Sequence, residues 1–137
     1  MTFDIFNPEV LGTPRGWNNG MLAPAGGRLL FVAGQTARDG SDAEMPDGFV
    51  AQFEATLANV LAVVREAGGT PEDIGRFTIY VADMESYRGS LEALGTAYRN
   101  QMGRHYPAMA LVAVAELVDP MAQVEIEATA VLPAADQ

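Results

Sequence analysis

Two carboxylates stand two residues apart in QVEIEATAV, residues 123–131: Glu125 and Glu127. In an extended strand, residues at i and i+2 share a face, so repulsion between the two would split their proton affinities. Carboxylates split in this way can work as an acid/base pair that orients a water and takes its proton. A polar strand face lining a solvated centre has the same spacing, so the pair supports both readings. Arg15 lies two residues from Trp17, the only tryptophan, in RGWNN. A cation beside an indole could grip an anion and stack on a flat ligand, or it could belong to a solvated loop that closes an interface. His105, just before Tyr106-Pro107 at the end of a predicted helix, suits the negative end of the helix dipole and reads as structural. Gly26-Gly27 is too short and wrongly placed for a phosphate loop, and no Ser/His/Asp arrangement is discernible.

Composition narrows the field further. With no cysteine and a single histidine, neither a thiolate nor a multi-histidine metal centre can form within one chain. No cofactor or metal is expected. Eighteen acidic residues against eight basic ones, a net charge of -10, argue against a nucleic-acid partner, because a polyanion is held by clustered Lys and Arg. No apolar run reaches the length of a membrane span, and MTFDIFNPEV lacks the basic and apolar regions of a signal peptide, so a cytoplasmic protein without a membrane partner is expected. Length, with 49% hydrophobic content, predicts one compact domain over residues 1–137.

The positioning elements follow from periodicity. Pro24, Gly26 and Gly27 punctuate a predicted hairpin whose second strand is Leu29 to Ala33, with Gly34 and Gln35 at its end. Thr36 to Gly48 reads as a surface loop. Phe49, Phe53, Leu57, Val60, Leu61 and Val64 recur at helical spacing, stopped by Gly68-Gly69. A strand is predicted from about Gly75 to Val81, then a helix from about Tyr87 to Met102 that Asp83 or Ser86 could cap. The strand YPAMALVAV, Tyr106 to Val114, and the strand Gln123 to Val131 complete a β-β-α-β-α-β-β order; a short extra strand near Phe3 to Phe6 is possible.

Two helices on one sheet cover one face only. In the last strand, Val124, Ile126, Ala128 and Ala130 make an apolar side for the helices, while Gln123, Glu125, Glu127 and Thr129 make a polar one. The strands Leu29–Ala33 and Ala108–Val114 are apolar on both sides. A face mixing apolar patches with carboxylates is poor solvent-facing surface and good interface, so the expected cover is another copy of the chain.

The GQ after a buried strand, ATLANVLAVVREAGGTPEDI, RFTIYVAD, the YPA that opens the apolar strand, and VEIEATAV together resemble the RidA/YjgF family of reactive-intermediate deaminases, over nearly the whole chain. The resemblance implies a chorismate-mutase-like α+β fold, two helices on one face of the sheet, and a homotrimer with an inner β-barrel and three intersubunit clefts. Typical members carry, after Phe-Pro-Ala or Tyr-Pro-Ala, an arginine that grips the carboxylate of a 2-imino or enamino acid. Here that residue is Met109, and a thioether cannot replace a guanidinium fork. The next cleft position, often cysteine, is Leu111. Trp17 stands for the tyrosine of a Gly-Pro-Tyr motif, and Ala33 for a serine before the glycine that is Gly34. Glu125 matches the residue thought to position the hydrolytic water.

The resemblance thus implies a small-molecule cleft lined by Trp17, Ala33, Gly34, Met109 and Leu111, with Glu125 as the catalytic carboxylate and Arg15 as a candidate replacement anchor. Two functions are expected to compete: a deaminase-type hydrolase of an imine, enamine or related labile intermediate other than the small free 2-imino acids, and a trimeric protein that binds a small molecule without turning it over.

Overall fold

Apolar residues three and four apart build helix α1, Phe49–Glu66, in the computed structural model, which describes residues 3–135. Its inner face buries Phe49, Phe53, Leu57, Val60, Leu61 and Val64, each contributing roughly 1.5–3 kcal/mol of apolar burial. Gly68, at φ 90°, ends it where any other residue would be strained, and the Gly69 amide donates to the Val64 carbonyl at 2.9 Å. A turn at Thr70–Asp73, closed by the Thr70 amide donating to Asp73 Oδ2 at 2.8 Å, leads into strand β4, Ile74–Val81.

The main sheet has four strands: β3 (Arg28–Gln35), β6 (Val124–Leu132), β4 and β5 (Ala108–Ala113), in that spatial order. β6 is antiparallel to both of its neighbours, whereas β4 and β5 run parallel. A parallel pair requires a crossover, and helices supply it. The one helix expected over residues 87–102 is two: α2, Met84–Arg88, and α3, Leu91–Met102. Asp83 caps α2 by accepting from the Glu85 amide at 3.1 Å. The break falls at Gly89-Ser90, where glycine holds the helix weakly and the Ser90 hydroxyl competes for backbone by donating to the Ser86 carbonyl at 2.7 Å.

The expected hairpin is also altered. A turn forms at Pro24–Gly27, yet strand β2, Gly20–Leu22, pairs antiparallel with β1, Asp4–Phe6, as a separate two-stranded sheet instead of joining β3. In this small sheet Gly20 stands directly opposite Phe6.

One apolar core lies between the sheet and α1/α3, with Val32, Phe77, Ile79, Val81, Ile126 and Ala128 on the sheet side. Burial alternates along β6 as its sequence dictates: Val124, Ile126, Ala128 and Ala130 are buried, and Glu125, Glu127 and Thr129 are half-exposed on the other face. On that open face Leu29 (64% exposed) and Phe31 (76%) have no cover from their own chain. Among the described residues, no helix is long and apolar enough to cross a membrane.

Candidate functional site

Glu125 occupies the middle of the sheet, on β6, with Tyr80 of β4 as its register partner. On the other side, the β3–β6 register shifts between Val32 and Gln35, a bulge that contains Gly34. A Cβ on Gly34 would run into the Glu125 carboxylate, so the bare Cα is what gives that carboxylate its place. Ala33 is exposed on β3 beside it. Glu127 accepts a hydrogen bond from the Tyr80 hydroxyl at 2.6 Å. That bond, with burial and the charges of Glu127 and Glu125, pushes the Tyr80 hydroxyl above the usual tyrosine range. Within the pair, therefore, Glu127 has a partner of its own and Glu125 is set against the glycine.

The start of β6 is held from the helix side. Buried Gln52 of α1 donates through Nε2 to the Met121 carbonyl at 3.1 Å and accepts from the Gln123 amide at 2.8 Å. This clamp positions the strand that carries Glu125. Its signal in the sequence was a polar residue one position before Phe53, on the apolar side of a long helix.

On the opposite side of the sheet, a pocket of about 490 Å³ opens between α3 and β5. Met109 and Leu111 project into it from β5, in register with Phe77 and Ile79 of β4. Tyr98 and Tyr106 stack beside them with ring centroids 5.2 Å apart and planes 7° from parallel. The Tyr98 hydroxyl donates to the His105 carbonyl at 2.7 Å, and burial, then the nearby Tyr106, pushes its pKa well above the ordinary value. The His105 ring meets the Ile74 carbonyl at 2.7 Å through Nε2 and stacks on Phe3, a structural tie outside the pocket.

The segment Arg15–Trp17 lines the same pocket, and the asparagines beside it fasten it there. Asn18 donates from its amide to the Pro107 carbonyl at 3.3 Å and from Nδ2 to the Tyr106 carbonyl at 2.7 Å. Trp17 Nε1 donates to Asn19 Oδ1 at 3.2 Å, and Asn7 bonds both asparagines. The structure thus brings Arg15, Trp17, Met109 and Leu111 together, and separately Gly34, Ala33 and Glu125. Within one protomer the two groups do not meet.

Sequence reading missed Arg99, which also lines the pocket. Its guanidinium folds over Gly95, where an added Cβ would lie 3.0 Å from Nη1. The i, i+4 spacing of Gly95 and Arg99 on a helix is the signal that could have found it. All eight basic residues are arginines, so no lysine is present to form a protein imine. Among the described residues, no three His, Asp or Glu side chains converge as a metal site requires.

A family model described as endoribonuclease L-PSP matches residues 15–132. The chain is 31% identical over 105 residues to the 2-iminobutanoate/2-iminopropanoate deaminase of Escherichia coli strain K12, covering 77% of this chain and 80% of that protein. The crystal structure of the Rid-family protein YyfB of Yersinia pestis, of unknown function, superposes with a TM-score of 0.82 at 32% identity, over 96% of this chain and 100% of that one. Escherichia coli TdcF with bound serine superposes with a TM-score of 0.66 at 28% identity, over 84% and 93% of the two chains.

Proposed function

Because the chain belongs to the endoribonuclease L-PSP family, the RidA/YjgF group with its chorismate-mutase-like α+β fold, we propose that it is a RidA-like deaminase that hydrolyses the imine or enamine of a small reactive intermediate. The observation that carries this reading is the Glu125 carboxylate on the inner strand β6, seated against the bare Cα of Gly34 on the neighbouring β3. Glu125 orients a water and takes one of its protons as the water oxygen bonds to the carbon of the protonated imine and the C=N electron pair moves to nitrogen, giving a carbinolamine. Glu125 returns that proton to nitrogen and then takes the proton of the new hydroxyl as C=O forms and the C–N bond breaks, releasing ammonia, which carries the proton away as ammonium. With no lysine in the chain, the imine is the substrate's own.

Met109, where the resemblance places a carboxylate-gripping arginine, turns the substrate class away from 2-iminobutanoate and 2-iminopropanoate. We further propose a homotrimer of single-domain subunits. A cleft lined by both Glu125 and Met109 requires a second copy, because one protomer holds them on opposite faces of its sheet, and the uncovered Leu29 and Phe31 supply apolar contact surface. A stable 14.6 kDa monomer in sedimentation at micromolar concentration would remove this basis.

The exclusion of Glu125 from the α3/β5 pocket favours the second reading, a trimeric binding protein without turnover. Glu125→Gln separates the two: under the hydrolase reading it lowers kcat by about 10²–10⁴-fold and spares ligand binding. Unchanged turnover in that variant would dismiss Glu125 as the base. An RNA substrate is opposed by the net charge of -10.

A further inference from the structure

We infer that the α3/β5 pocket binds a carboxylate with a bulky, aryl-type apolar body, and that Arg99, with Arg15, takes the anion that Met109 cannot. The chain carries eighteen acidic residues against eight basic ones, yet no acidic residue lines this pocket and two arginines do. Neither guanidinium has a hydrogen-bond or ion-pair partner among the described residues. A guanidinium left without a carboxylate in so acidic a chain is available to an external one, which its planar fork can hold through two charge-assisted bonds. Gly95 lets the Arg99 guanidinium lie close over the helix, since an added Cβ there would crowd Nη1 at 3.0 Å.

The rest of the pocket sets the size and character of the ligand. Tyr98 and Tyr106 present a stacked aromatic wall, Met109 and Leu111 extend it with pliable apolar surface, and Trp17 closes one side. About 490 Å³ is within the range of cavities that hold drug-sized ligands. A two- or three-carbon side chain would leave most of that wall uncovered. This deepens the imine-hydrolase reading and rests on it for the reaction: the substrate class becomes 2-imino acids with an aromatic or comparably bulky side chain, and the product a bulky 2-keto acid.

The test uses three stable probes on the intact protein: 3-phenylpropionate, its uncharged amide 3-phenylpropionamide, and butyrate. Affinity is read by calorimetry, and Trp17, the only tryptophan, reports occupancy of the pocket through its emission. Expected is 3-phenylpropionate binding at least about tenfold tighter than either other probe, with a change in Trp17 emission. Arg99→Gln should lower phenylpropionate affinity about tenfold while leaving the amide unchanged, and Arg15→Gln should lower it less. Equal affinity for acid and amide overturns the inference. So does an Arg99→Gln variant that binds the acid normally, or no binding up to about 10 mM. Aryl-acid binding without turnover of any imine would sink the hydrolase reading and keep the pocket; imine hydrolysis without aryl-acid binding would do the reverse.

Discussion

Glu125 and Met109 stand on strands with unequal support. β6 is bonded on both sides, to β3 and β4, and clamped at its start by Gln52, so the backbone beneath Glu125 cannot move without breaking two ladders. β5 pairs in the sheet only with β4; the residues leading into it, Tyr106 and Pro107, accept from Asn18, and the Ala108 amide at its start donates to the sulfur of Met21 in β2 at 3.2 Å. The carboxylate proposed for chemistry therefore sits where geometry is held, and the residues proposed for recognition sit where a wall can be reshaped. Substrate preference can diverge at Met109 and Leu111 without disturbing the position of Glu125.

The largest expected effect breaks the supported side. Ile126 is fully buried beneath Glu125, so Ile126→Ala should cost about 2–5 kcal/mol in denaturant unfolding. Glu127→Gln, one residue on but facing outward, should cost far less; equal losses would show that the two faces of β6 do not differ as described. Gly34→Ala comes next. The backbone there is not in the positive-φ region, so alanine is tolerated by the chain, yet its methyl group takes the space of the Glu125 carboxylate. Turnover should fall about 100-fold with the folded state retained by circular dichroism. An active Gly34→Ala protein would mean that the seat of the carboxylate does not matter.

Met109→Arg sharpens the comparison from the edge strand. It should raise kcat/KM for 2-iminobutanoate on the order of 30-fold, about 2 kcal/mol of carboxylate recognition. No gain, or native activity already matching arginine-bearing relatives, would defeat the account of Met109. The smallest effect concerns two tyrosines, one on each side of the sheet. Both Tyr98 and Tyr80 hold their protons more tightly when folded than the ordinary value near 10. The stability each contributes is complete below about pH 10 and declines as pH rises through the folded-state value, since the unfolded chain ionises first. Tyr98→Phe should flatten the alkaline fall of Tm, and Tyr80→Phe should flatten it less, because Tyr98 is buried whereas the Tyr80 shift comes mainly from its bond to Glu127. The reverse order in thermal melts between pH 9 and 11 would overturn that ranking.

Much of this was legible in local pattern. The stripe from Phe49 to Val64 specified α1, the alternation Val124, Glu125, Ile126, Glu127 specified which side of β6 is buried, and the two-sided apolarity around Phe31 announced a face that its own chain leaves uncovered. Residues whose roles depend on distant neighbours were harder to read. Gln52 resembles any helix residue until its amide is seen bridging Met121 and Gln123, and Gly95 registers only as a weak helix former until Arg99 folds over it. The break at Gly89-Ser90 lay between the two, since both residues weaken a helix but neither obliges it to stop.

The sequence by itself determined the elements and their inward and outward sides, because strand and helix periods are properties of the backbone that a single residue string displays. Only the tertiary structure decided that β6 enters between β3 and β4, that β2 pairs with β1, and that Glu125 and Met109 end on opposite faces of one sheet. Those outcomes depend on pairings between residues 14 (Phe6 and Gly20) to 104 (Arg28 and Leu132) positions apart, where many registers satisfy the same local pattern and the choice among them is made by which arrangement closes one continuous core.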